Sequence, residues 1–446
     1  MRILQVSTTD RVGGAAGVCW ELHAAWKARG HESWIATAVK ASDDPDVFLL
    51  SPEGARSGSA RRLGRESGLG PLARLRRRIG LALGHEDFAF PATAGLLDLP
   101  PRRPDLLHGH NLHGGYFDLR ALPGLSARLP VALTLHDSWL LGGHCAHPLG
   151  CGRWETGCGD CPDLAIYPPV RRDATAANFR RKKALFAKSR LHVATPCAWL
   201  MDRVGRSMLA PAAASARVIP CGVSPELFRP GDKALARHRL GLPREAVVLL
   251  FSSFMVRNNP FRDFELLRGA LMGLTRSWCG APLVLVALGG EGETERHGRA
   301  EIRFLPFTDD RGLVAELNRA ADLYLHAAKM DTFPTAVLEA LASGTPVAAT
   351  AAGGIPEQVR SLDTGRGGPH DTAGPDRATG ILTPVGDLEA FRRGLSLLAG
   401  DATLLARLGE NARRDALERF TLERQADAYE AWFREILDTT RGGGHA

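Results

Sequence analysis

Short apolar runs alternate with segments of helical periodicity along most of the chain. The runs predict buried strands in two consecutive series, the first at residues 2–7, 33–39, 105–108, 131–136, 192–195 and 217–219 and the second at residues 247–252, 283–288, 302–305, 323–326 and 346–350. Strands that alternate with helices form βαβ units, which build parallel sheets covered by helices. The pattern therefore predicts an α/β protein with two Rossmann-like, doubly wound domains that face each other across a cleft.

The domain boundaries follow from breaks in the same pattern. A proline-punctuated stretch at residues 220–230 separates the two series and is the predicted hinge. We expect an N-terminal domain over residues 1–225, a C-terminal domain over residues 226–418 and a tail over residues 419–446. Apolar residues at helical spacing predict a further helix in the tail.

The length and composition agree with an enzyme of two domains. A chain of 446 residues is too long for one compact core, and 44% hydrophobic with 24% charged residues is ordinary for a globular enzyme. No apolar run reaches the roughly 18–20 residues of a membrane-spanning helix. The apolar start at residues 1–7 turns polar too early for a secretion signal, so we expect a cytoplasmic protein. The net charge of +7 favours anionic partners without choosing among nucleotide phosphates, lipid headgroups and nucleic acid.

The densest chemical signal lies at residues 331–347, DTFPTAVLEALASGTPV. Pro334 suits the first turn of a helix and Gly344 suits its end, so the pattern predicts a helix over residues 334–343. The free N–H groups of its first turn attract phosphate. The donor-binding residues expected at this helix start are Phe333, Pro334 and Thr335.

Two acids flank this helix start. Asp331 lies on the loop that enters the helix, and Glu339 lies within the helix. Carboxylates do not bind phosphate, but they accept hydrogen bonds from sugar and ribose hydroxyls. The arrangement fits a nucleotide sugar.

This segment resembles the E-x(7)-E signature of the family 4 glycosyltransferases, which are retaining enzymes with the GT-B fold. The G-T-P-V strand and the G-G-I-P-E loop that follow the signature in the family are also present, the loop at residues 353–357. The resemblance implies that Glu339 holds the ribose and that the first acid, here Asp331 in place of the usual glutamate, holds a hydroxyl of the transferred sugar. It also implies that the tail helix packs back on the N-terminal domain.

Two arginines match a second feature of the family. The departing diphosphate needs positive charge, which the family usually supplies with an R-x(4)-K pair after the first strand of the C-terminal domain. Arg257 and Arg262 have this separation, with Arg262 in place of the lysine. Arginine stays charged and can bind phosphate through two parallel hydrogen bonds, so we expect the exchange to preserve function.

The N-terminal half contributes further candidates at the ends of predicted strands. Gly13 and Gly14, between the first strand and the first helix, let the backbone approach a diphosphate or sugar closely. His136 closes the strand at residues 131–136, where ligands bind in parallel sheets, and the resemblance implies that it contacts the donor sugar. The residues expected on the acceptor side follow the strand at residues 105–108 and are His110, Asn111 and His113.

Four of the eight cysteines lie in a glycine- and proline-rich insert at residues 144–161, namely Cys145, Cys151, Cys158 and Cys161. Such a loop buries little apolar surface, so it needs a cross-link or a bound metal to fix its structure. A structural zinc ion bound by the four thiolates would provide one, with no open position for catalysis. Disulfides and free thiols are the alternatives. The segment with His136 at its start resembles members of the family that act in exopolysaccharide and colanic acid biosynthesis.

Arginines cluster between residues 57 and 84, at Arg61, Arg62, Arg65, Arg74, Arg76, Arg77 and Arg78. Apolar residues at helical spacing between them predict an amphipathic helix over residues 71–83, whose apolar positions are Leu72, Leu75, Ile79 and Leu83. Such a helix suits peripheral contact with an anionic membrane surface and a lipid-linked acceptor. The alternative is an ordinary solvated helix packed on the N-terminal domain.

The residues and the resemblance together predict a glycosyltransferase that moves a sugar from a nucleoside-diphosphate donor to a hydroxyl of a glycan, a lipid-linked or a small-molecule acceptor, with retention of configuration. We expect no catalytic metal. The resemblance implies that the donor phosphate itself helps to deprotonate the acceptor. A GT-B sugar-nucleotide epimerase would share the nucleotide site but would need further acid–base groups. A basic, zinc-containing nucleic-acid-binding protein is a third alternative, but it leaves Asp331 and Glu339 unexplained.

Overall fold

The computed structural model describes residues 1–50, 70–365 and 372–442. The chain forms two compact units, one of Met1–Pro220 with Gln425–Ala446 and the other of Cys221–Arg424. Among the described residues, no helix combines the length and the apolar character needed to cross a membrane. Three arginines of the basic cluster, at positions 61, 62 and 65, lie outside the described residues.

The first unit contains a seven-stranded sheet in the order β3-β2-β1-β4-β5-β6-β7, and all of its strand pairs are parallel. The strands are β1 Arg2–Thr9, β2 Glu32–Val39, β3 Val47–Leu49, β4 Leu106–His110, β5 Val131–Thr134, β6 Leu191–Thr195 and β7 Ala213–Val218. The two central strands β4 and β5 are buried at every position. Near-continuous apolar runs are expected for parallel strands that are covered on both faces.

The helices of the first unit are α1 Gly14–Ala28, α2 Pro71–Ala82, α3 Leu122–Arg128, α4 Arg153–Thr156, α5 Thr175–Phe186 and α6 Ala198–Gly205. Helix α1 begins after Gly13, whose φ of 101° suits glycine, and it ends before Gly30 with a φ of 80°. It buries Val18, Leu22 and Trp26 at helical spacing, so its apolar stripe faces the sheet.

The last helix, α13 Leu422–Gly442, begins in the second unit and continues in the first. Within the first unit its Tyr429 and Phe433 are fully buried against Trp26 and His108, with ring centroids 5.2–6.4 Å apart. The Tyr429 hydroxyl also lies 2.8 Å from Oγ1 of Thr134. The helix therefore supplies part of the core of the first unit.

The second unit contains a nine-stranded sheet in the order β10-β11-β9-β8-β12-β13-β16-β14-β15, in which only β10 and β11 pair antiparallel. The strands are β8 Val247–Ser252, β9 Leu283–Leu288, β10 Glu295–His297, β11 Ala300–Leu305, β12 Leu323–His326, β13 Val347–Thr350, β14 Ser361–Leu362, β15 Thr372–Ala373 and β16 Gly380–Thr383. The helices are α7 Lys233–Arg239, α8 Phe264–Thr275, α9 Arg311–Ala320, α10 Thr335–Ala342, α11 Leu388–Ala399 and α12 Ala402–Arg419.

The two parallel sheets confirm the predicted fold class. The sequence missed β3, β10, β14, β15 and β16, which have only two to four residues each. Segments this short carry no measurable alternation of apolar and polar positions. The predicted strand at residues 131–136 ends early, at Thr134, so His136 lies on the loop that follows β5.

Candidate functional site

The start of helix α10 is fixed by its flanking residues. Pro334 is the N-cap residue, and its carbonyl accepts a hydrogen bond from Nε2 of Gln358 at 3.0 Å. The ring of Phe333 packs edge-on against Phe420, with centroids 5.8 Å apart. Thr335 is the first helical residue. The helix start thus presents its first-turn N–H groups from a rigid support.

Asp331 lies on the loop between β12 and α10, and its carboxylate forms an ion pair with an arginine. Its Oδ2 is 2.6 Å from Nη2 of Arg262 and 3.3 Å from Nε2 of His326. Arg262 reaches this position because it forms an antiparallel bridge with Ala328. Burial lowers the pKa of His326, the hydrogen bond with Asp331 opposes this, and the charge of Arg262 adds to the lowering. The predicted residues Asp331 and Arg262 are therefore brought together.

The loop at residues 353–357 holds the Asp331 backbone in place. The N–H of Gly354 donates to the Asp331 carbonyl at 3.2 Å. Gly353 has a φ of 60°, and a Cβ at this position would lie 1.8 Å from the same carbonyl oxygen. Only glycine fits here, which gives the G-G-I-P-E motif a structural reason.

Arg257 lies in a different network. Its Nη2 is 2.5 Å from Oε1 of Glu295, and its guanidinium lies 4.4 Å from the centre of the Phe304 ring. Glu295 also accepts a hydrogen bond from Nε of Arg268 at 2.8 Å. Burial would raise the pKa of Glu295, but the hydrogen bonds from Arg268 and Arg257 lower it to about 2. Within the described residues, the structure gives Arg257 and Arg262 no common partner.

The carboxylate of Glu339 lies near Arg311, a residue that the sequence analysis did not identify. Its Oε1 is 3.5 Å from Nη2 of Arg311 at the start of α9, and Arg311 also lies 5.2 Å from the centre of the Phe228 ring. The Glu339 side chain is 15% exposed, so it is accessible but largely shielded.

The glycine loop of the first unit is open. Gly13 and Gly14 are both exposed, and a Cβ added to either would meet no atom within 4 Å. A ligand can therefore approach the backbone of this loop closely.

Three side chains from neighbouring strands form a hydrogen-bonded row in the first unit. Nε2 of His110 is 3.1 Å from Oε1 of Gln5, and Nδ1 of His110 is 3.0 Å from Nε2 of His136. Burial lowers the pKa of His136 to about 4 and that of His110 well below its usual value. Both histidines are neutral at neutral pH. His110 is fully buried with both nitrogens engaged, so the expectation that it faces an acceptor is corrected: it supports His136 from behind.

His113 belongs to a second polar group at the same strand ends. Its Nε2 is 2.7 Å from Oδ2 of Asp137, and its Nδ1 is 3.4 Å from the hydroxyl of Tyr167. Burial would raise the pKa of Asp137, but the charge and hydrogen bond of His113 lower it overall. Asn111, the other predicted acceptor-side residue, is half-buried and has a positive φ of 26°. Tyr167 is 45% exposed, so this group reaches the surface.

No disulfide joins the four cysteines of the insert, all of which are described by the structure. Sγ of Cys161 lies 3.4 Å from Nε2 of His144, and the N–H of Gly143 donates to Sγ of Cys158 at 3.2 Å. Across residues 1–50, 70–365 and 372–442, no group of three or more histidine, cysteine, aspartate or glutamate side chains is arranged to hold a metal ion. The zinc site therefore stays a prediction.

Several polar partners were missed by the sequence analysis. Gln5 and His326 carried a usable signal, because Gln5 lies between apolar residues of β1 and His326 ends the apolar strand β12. Asp137 directly follows the candidate residue His136, and that position was its signal. Arg311 and Tyr167 gave no local signal, since both reach their partners from distant parts of the chain.

Two family models match the chain. Residues 12–227 match the model described as Glycosyltransferase Family 4, and residues 291–415 match the model described as Glycosyl transferases group 1. The second match contains Asp331, Glu339 and the loop at residues 353–357.

Relatives are found among bacterial proteins. The D-inositol 3-phosphate glycosyltransferase of Saccharomonospora viridis is 33% identical over 241 residues, which are 51% of this chain and 51% of that protein. The match thus spans about half the length of that relative. The Escherichia coli K12 protein WcaC, named as a colanic acid biosynthesis glycosyl transferase, is 27% identical over 385 residues, which are 78% of this chain and 83% of that protein.

Solved structures share the fold over nearly the whole chain. Sucrose-phosphate synthase from Thermosynechococcus elongatus has a TM-score of 0.63 at 18% identity, covering 98% of this chain and 99% of that chain. Anabaena Alr3699/HepE in complex with UDP and glucose has a TM-score of 0.61 at 18% identity, covering 98% and 100%. The catalytic domain of starch synthase IV from Arabidopsis thaliana, bound to ADP and acarbose, has a TM-score of 0.64 at 15% identity, covering 98% and 99%. At these identities the likeness shows the fold, which is GT-B.

Proposed function

The chain belongs to the family 4 glycosyltransferases, and on that premise we propose that it transfers a sugar from a nucleoside-diphosphate donor to an acceptor hydroxyl with retention of configuration. The observation that carries the proposal is the start of helix α10, where an acid precedes the helix, a second acid lies within it, and a cation lies beside the first. These groups match the parts of a nucleotide sugar. The helix start and the arginine suit its phosphates, and the two acids suit its hydroxyl groups.

We assign the donor as follows. The first-turn N–H groups of α10 and Arg262 bind the diphosphate, Glu339 accepts hydrogen bonds from the ribose, and Asp331 accepts one from the transferred sugar. Arg311 beside Glu339 adds positive charge near the nucleotide. Two solved proteins of this fold hold UDP or ADP, which supports a nucleoside diphosphate as the leaving group.

The reaction needs stabilisation of negative charge on the departing diphosphate more than it needs a strong base. Arg262 and the helix start supply that charge from a preorganised position. His136 is neutral and orients a sugar hydroxyl by a hydrogen bond. The departing phosphate oxygen takes the proton of the acceptor hydroxyl, which fits transfer with retention.

The acceptor is proposed only by class. The relatives are named for inositol phosphate and colanic acid, which are both hydroxyl-rich. We propose a sugar, a lipid-linked glycan or a polyol as acceptor, bound on the side of the first unit that carries His113 and Asn111.

The donor site is tested with Glu339→Gln. Thermal stabilisation by a panel of nucleotide sugars, followed by release of nucleoside diphosphate, first identifies the donor. The variant should then bind that nucleotide roughly tenfold more weakly, the equivalent of one lost hydrogen bond to a charged group. Glu316→Gln is the matched control, because Glu316 lies on helix α9 with a similar exposure of 18% and pairs with surface arginines.

Equal affinity in both variants, or no nucleotide binding by the wild-type protein, would contradict the assignment. Product analysis with the donor alone separates transfer from epimerisation, since an epimerase would convert the donor without releasing nucleoside diphosphate.

We also propose that helix α2 brings a cytoplasmic enzyme to anionic membranes. None of its residues is buried. The apolar positions Leu72, Leu75 and Ile79 are 62%, 55% and 51% exposed and share one face. Arg77 holds the helix to the unit through Asp87 at 2.6 Å. A basic helix with its apolar face outward lies at a lipid interface.

Vesicle flotation tests this surface. The wild-type protein should float with vesicles of phosphatidylglycerol and phosphatidylcholine at low salt and not with phosphatidylcholine alone. Leu75→Ser with Ile79→Ser should abolish flotation, whereas Leu397→Ser, at another exposed leucine (44%), should not. Flotation that is unaffected by the double substitution would reject the helix as the membrane contact.

A further inference from the structure

The hydrogen-bonded row of the first unit crosses three adjacent strands. Gln5 lies on β1, His110 ends β4, and His136 follows β5; β1, β4 and β5 are neighbours in the sheet. The two links measure 3.1 Å and 3.0 Å. The rings of His110 and His136 are inclined by only 18°, so the N–H of one ring points at the in-plane lone pair of the other.

The row is not explained by packing. Gln5 and His110 are fully buried, and Nε2 of Gln5 is a buried donor without a hydrogen-bond partner among the described residues. An apolar side chain at either position would avoid this cost, because unsatisfied buried polar groups destabilise a fold. Hydrogen-bonded polar networks hold their members in one arrangement, and this row ends at the half-buried His136.

The donors and acceptors in the row follow from the orientation of the Gln5 amide, whose Oε1 faces His110. Oε1 of Gln5 can only accept, so Nε2 of His110 must carry its proton. A neutral imidazole has a single N–H, so Nδ1 of His110 is a lone pair and must accept from Nε2 of His136. His136 then keeps a lone pair on Nδ1. Among the described residues the hydrogen bond found for the His136 ring is the one at Nε2, and His136 is half-buried, so Nδ1 is open to a ligand.

We propose that Gln5 and His110 are positioning residues that hold His136 in the tautomer with a proton on Nε2 and a lone pair on Nδ1. His136 therefore accepts a hydrogen bond from a hydroxyl and cannot donate one to a phosphate oxygen. The identity of that hydroxyl, on the donor sugar, rests on the proposed function; the tautomer does not. Because both histidines are neutral, the tautomer of His136, and not its charge, decides which ligand group it binds.

The tautomer is measured directly by two-bond ¹H–¹⁵N correlation spectra of the full chain labelled at histidine nitrogens, near neutral pH. His136 and His110 should both show protonated Nε2. Gln5→Met removes the acceptor and should shift His136 toward a mixture of tautomers. Gln5→Glu keeps an oxygen that can accept from Nε2 of His110, so the wild-type pattern should persist.

Turnover gives the second readout. With the donor found by the nucleotide-sugar panel and water as acceptor, Gln5→Met should lower kcat about tenfold, the equivalent of one lost hydrogen bond in the transition state, with the Kd of the nucleoside diphosphate unchanged. Gln5→Glu should recover most of this loss. Thr134→Val is the matched control: it removes the 2.7 Å hydrogen bond of the adjacent His108, which lies outside the row, and should leave the His136 tautomer unchanged.

A proton on Nδ1 of His136 in the wild-type protein, or a His136 tautomer that ignores Gln5→Met, would overturn the proposal. If Gln5→Met shifted the tautomer and left kcat unchanged, the tautomer of His136 would have no role in turnover. If the wild-type protein turned over no nucleotide sugar, the proposed function would fail while the spectra still decided the tautomer.

Discussion

Arg262 and Asp331 show how one ion pair can prepare a site for a donor. The guanidinium is 2.6 Å from the carboxylate and 19% exposed, and its Nε is buried without a hydrogen-bond partner among the described residues. A diphosphate offers the guanidinium stronger, bidentate acceptors. On donor binding we expect Arg262 to turn to phosphate and Asp331 to become available for a sugar hydroxyl.

Replacing Arg262 by alanine should therefore lower turnover by about 100-fold or more, because charge stabilisation of the leaving group is lost. Nucleotide affinity should fall much less, since the helix start and Glu339 remain. Single-turnover kinetics with the identified donor, together with calorimetry of nucleoside-diphosphate binding, measures both quantities. Arg262→Lys serves as the conservative control, because it restores the family residue and should retain most activity. Unchanged turnover in Arg262→Ala would remove this arginine from the site.

At this scale the sequence identified the individual groups but not their pairs. The spacing of Asp331 and Glu339 along one helix start is local, and it singled them out. The pairing of Arg262 with Asp331, and of Arg257 with Glu295, joins segments that are far apart in the chain. Chain spacing placed the two arginines together, whereas the structure gives them separate partners.

Among the elements, the loop at residues 353–357 acts as a support for the loop before α10. The carbonyl of Asp331 receives the N–H of Gly354 and packs directly against the Cα of Gly353. The two loops follow β13 and β12, which are adjacent parallel strands. The motif glycines thus fix the position of the Asp331 backbone at the edge of the sheet.

Gly353→Ala should destabilise the second unit and displace Asp331. Its φ of 60° costs a non-glycine residue roughly 1–2 kcal/mol, and the added Cβ would also clash with the Asp331 carbonyl. Gly386→Ala is the matched control, since Gly386 has a φ of 76° and open space around it. Urea unfolding should show the larger loss for Gly353→Ala, and only this variant should lose nucleotide binding. Equal losses in the two variants would contradict the support role.

For the whole molecule, the course of the chain matters more than any single element. The chain builds the first unit, then the second, and returns to the first through α13. Trp26 and His108 of the first unit are covered by Tyr429 and Phe433, which are more than 300 residues distant in sequence. The core of the first unit is therefore complete only when helix α13 is in place.

Phe433→Ala should lower the free energy of unfolding of the first unit by about 3–5 kcal/mol, as expected for the loss of a buried aromatic ring. Leu417→Ala, at a 41% exposed position on helix α12, should change stability by less than about 0.5 kcal/mol. Chemical denaturation followed by tryptophan fluorescence is the measurement, because Trp26 and Trp432 both lie beside Phe433. A Phe433→Ala protein as stable as the control would show that α13 is dispensable for this core.

The sequence by itself determined the α/β class, the two parallel sheets, the position of α10 and the acids around its start. These depend on local rules, because the period of apolar residues, the fixed φ of Pro334 and the termination at Gly344 act within a few residues of each other. Tertiary structure alone decided that His110 supports His136, that Gln5 completes the row, and that Arg311 meets Glu339. Such pairs depend on strand order and loop height, which are set by packing between segments far apart in the chain, and local sequence does not encode them.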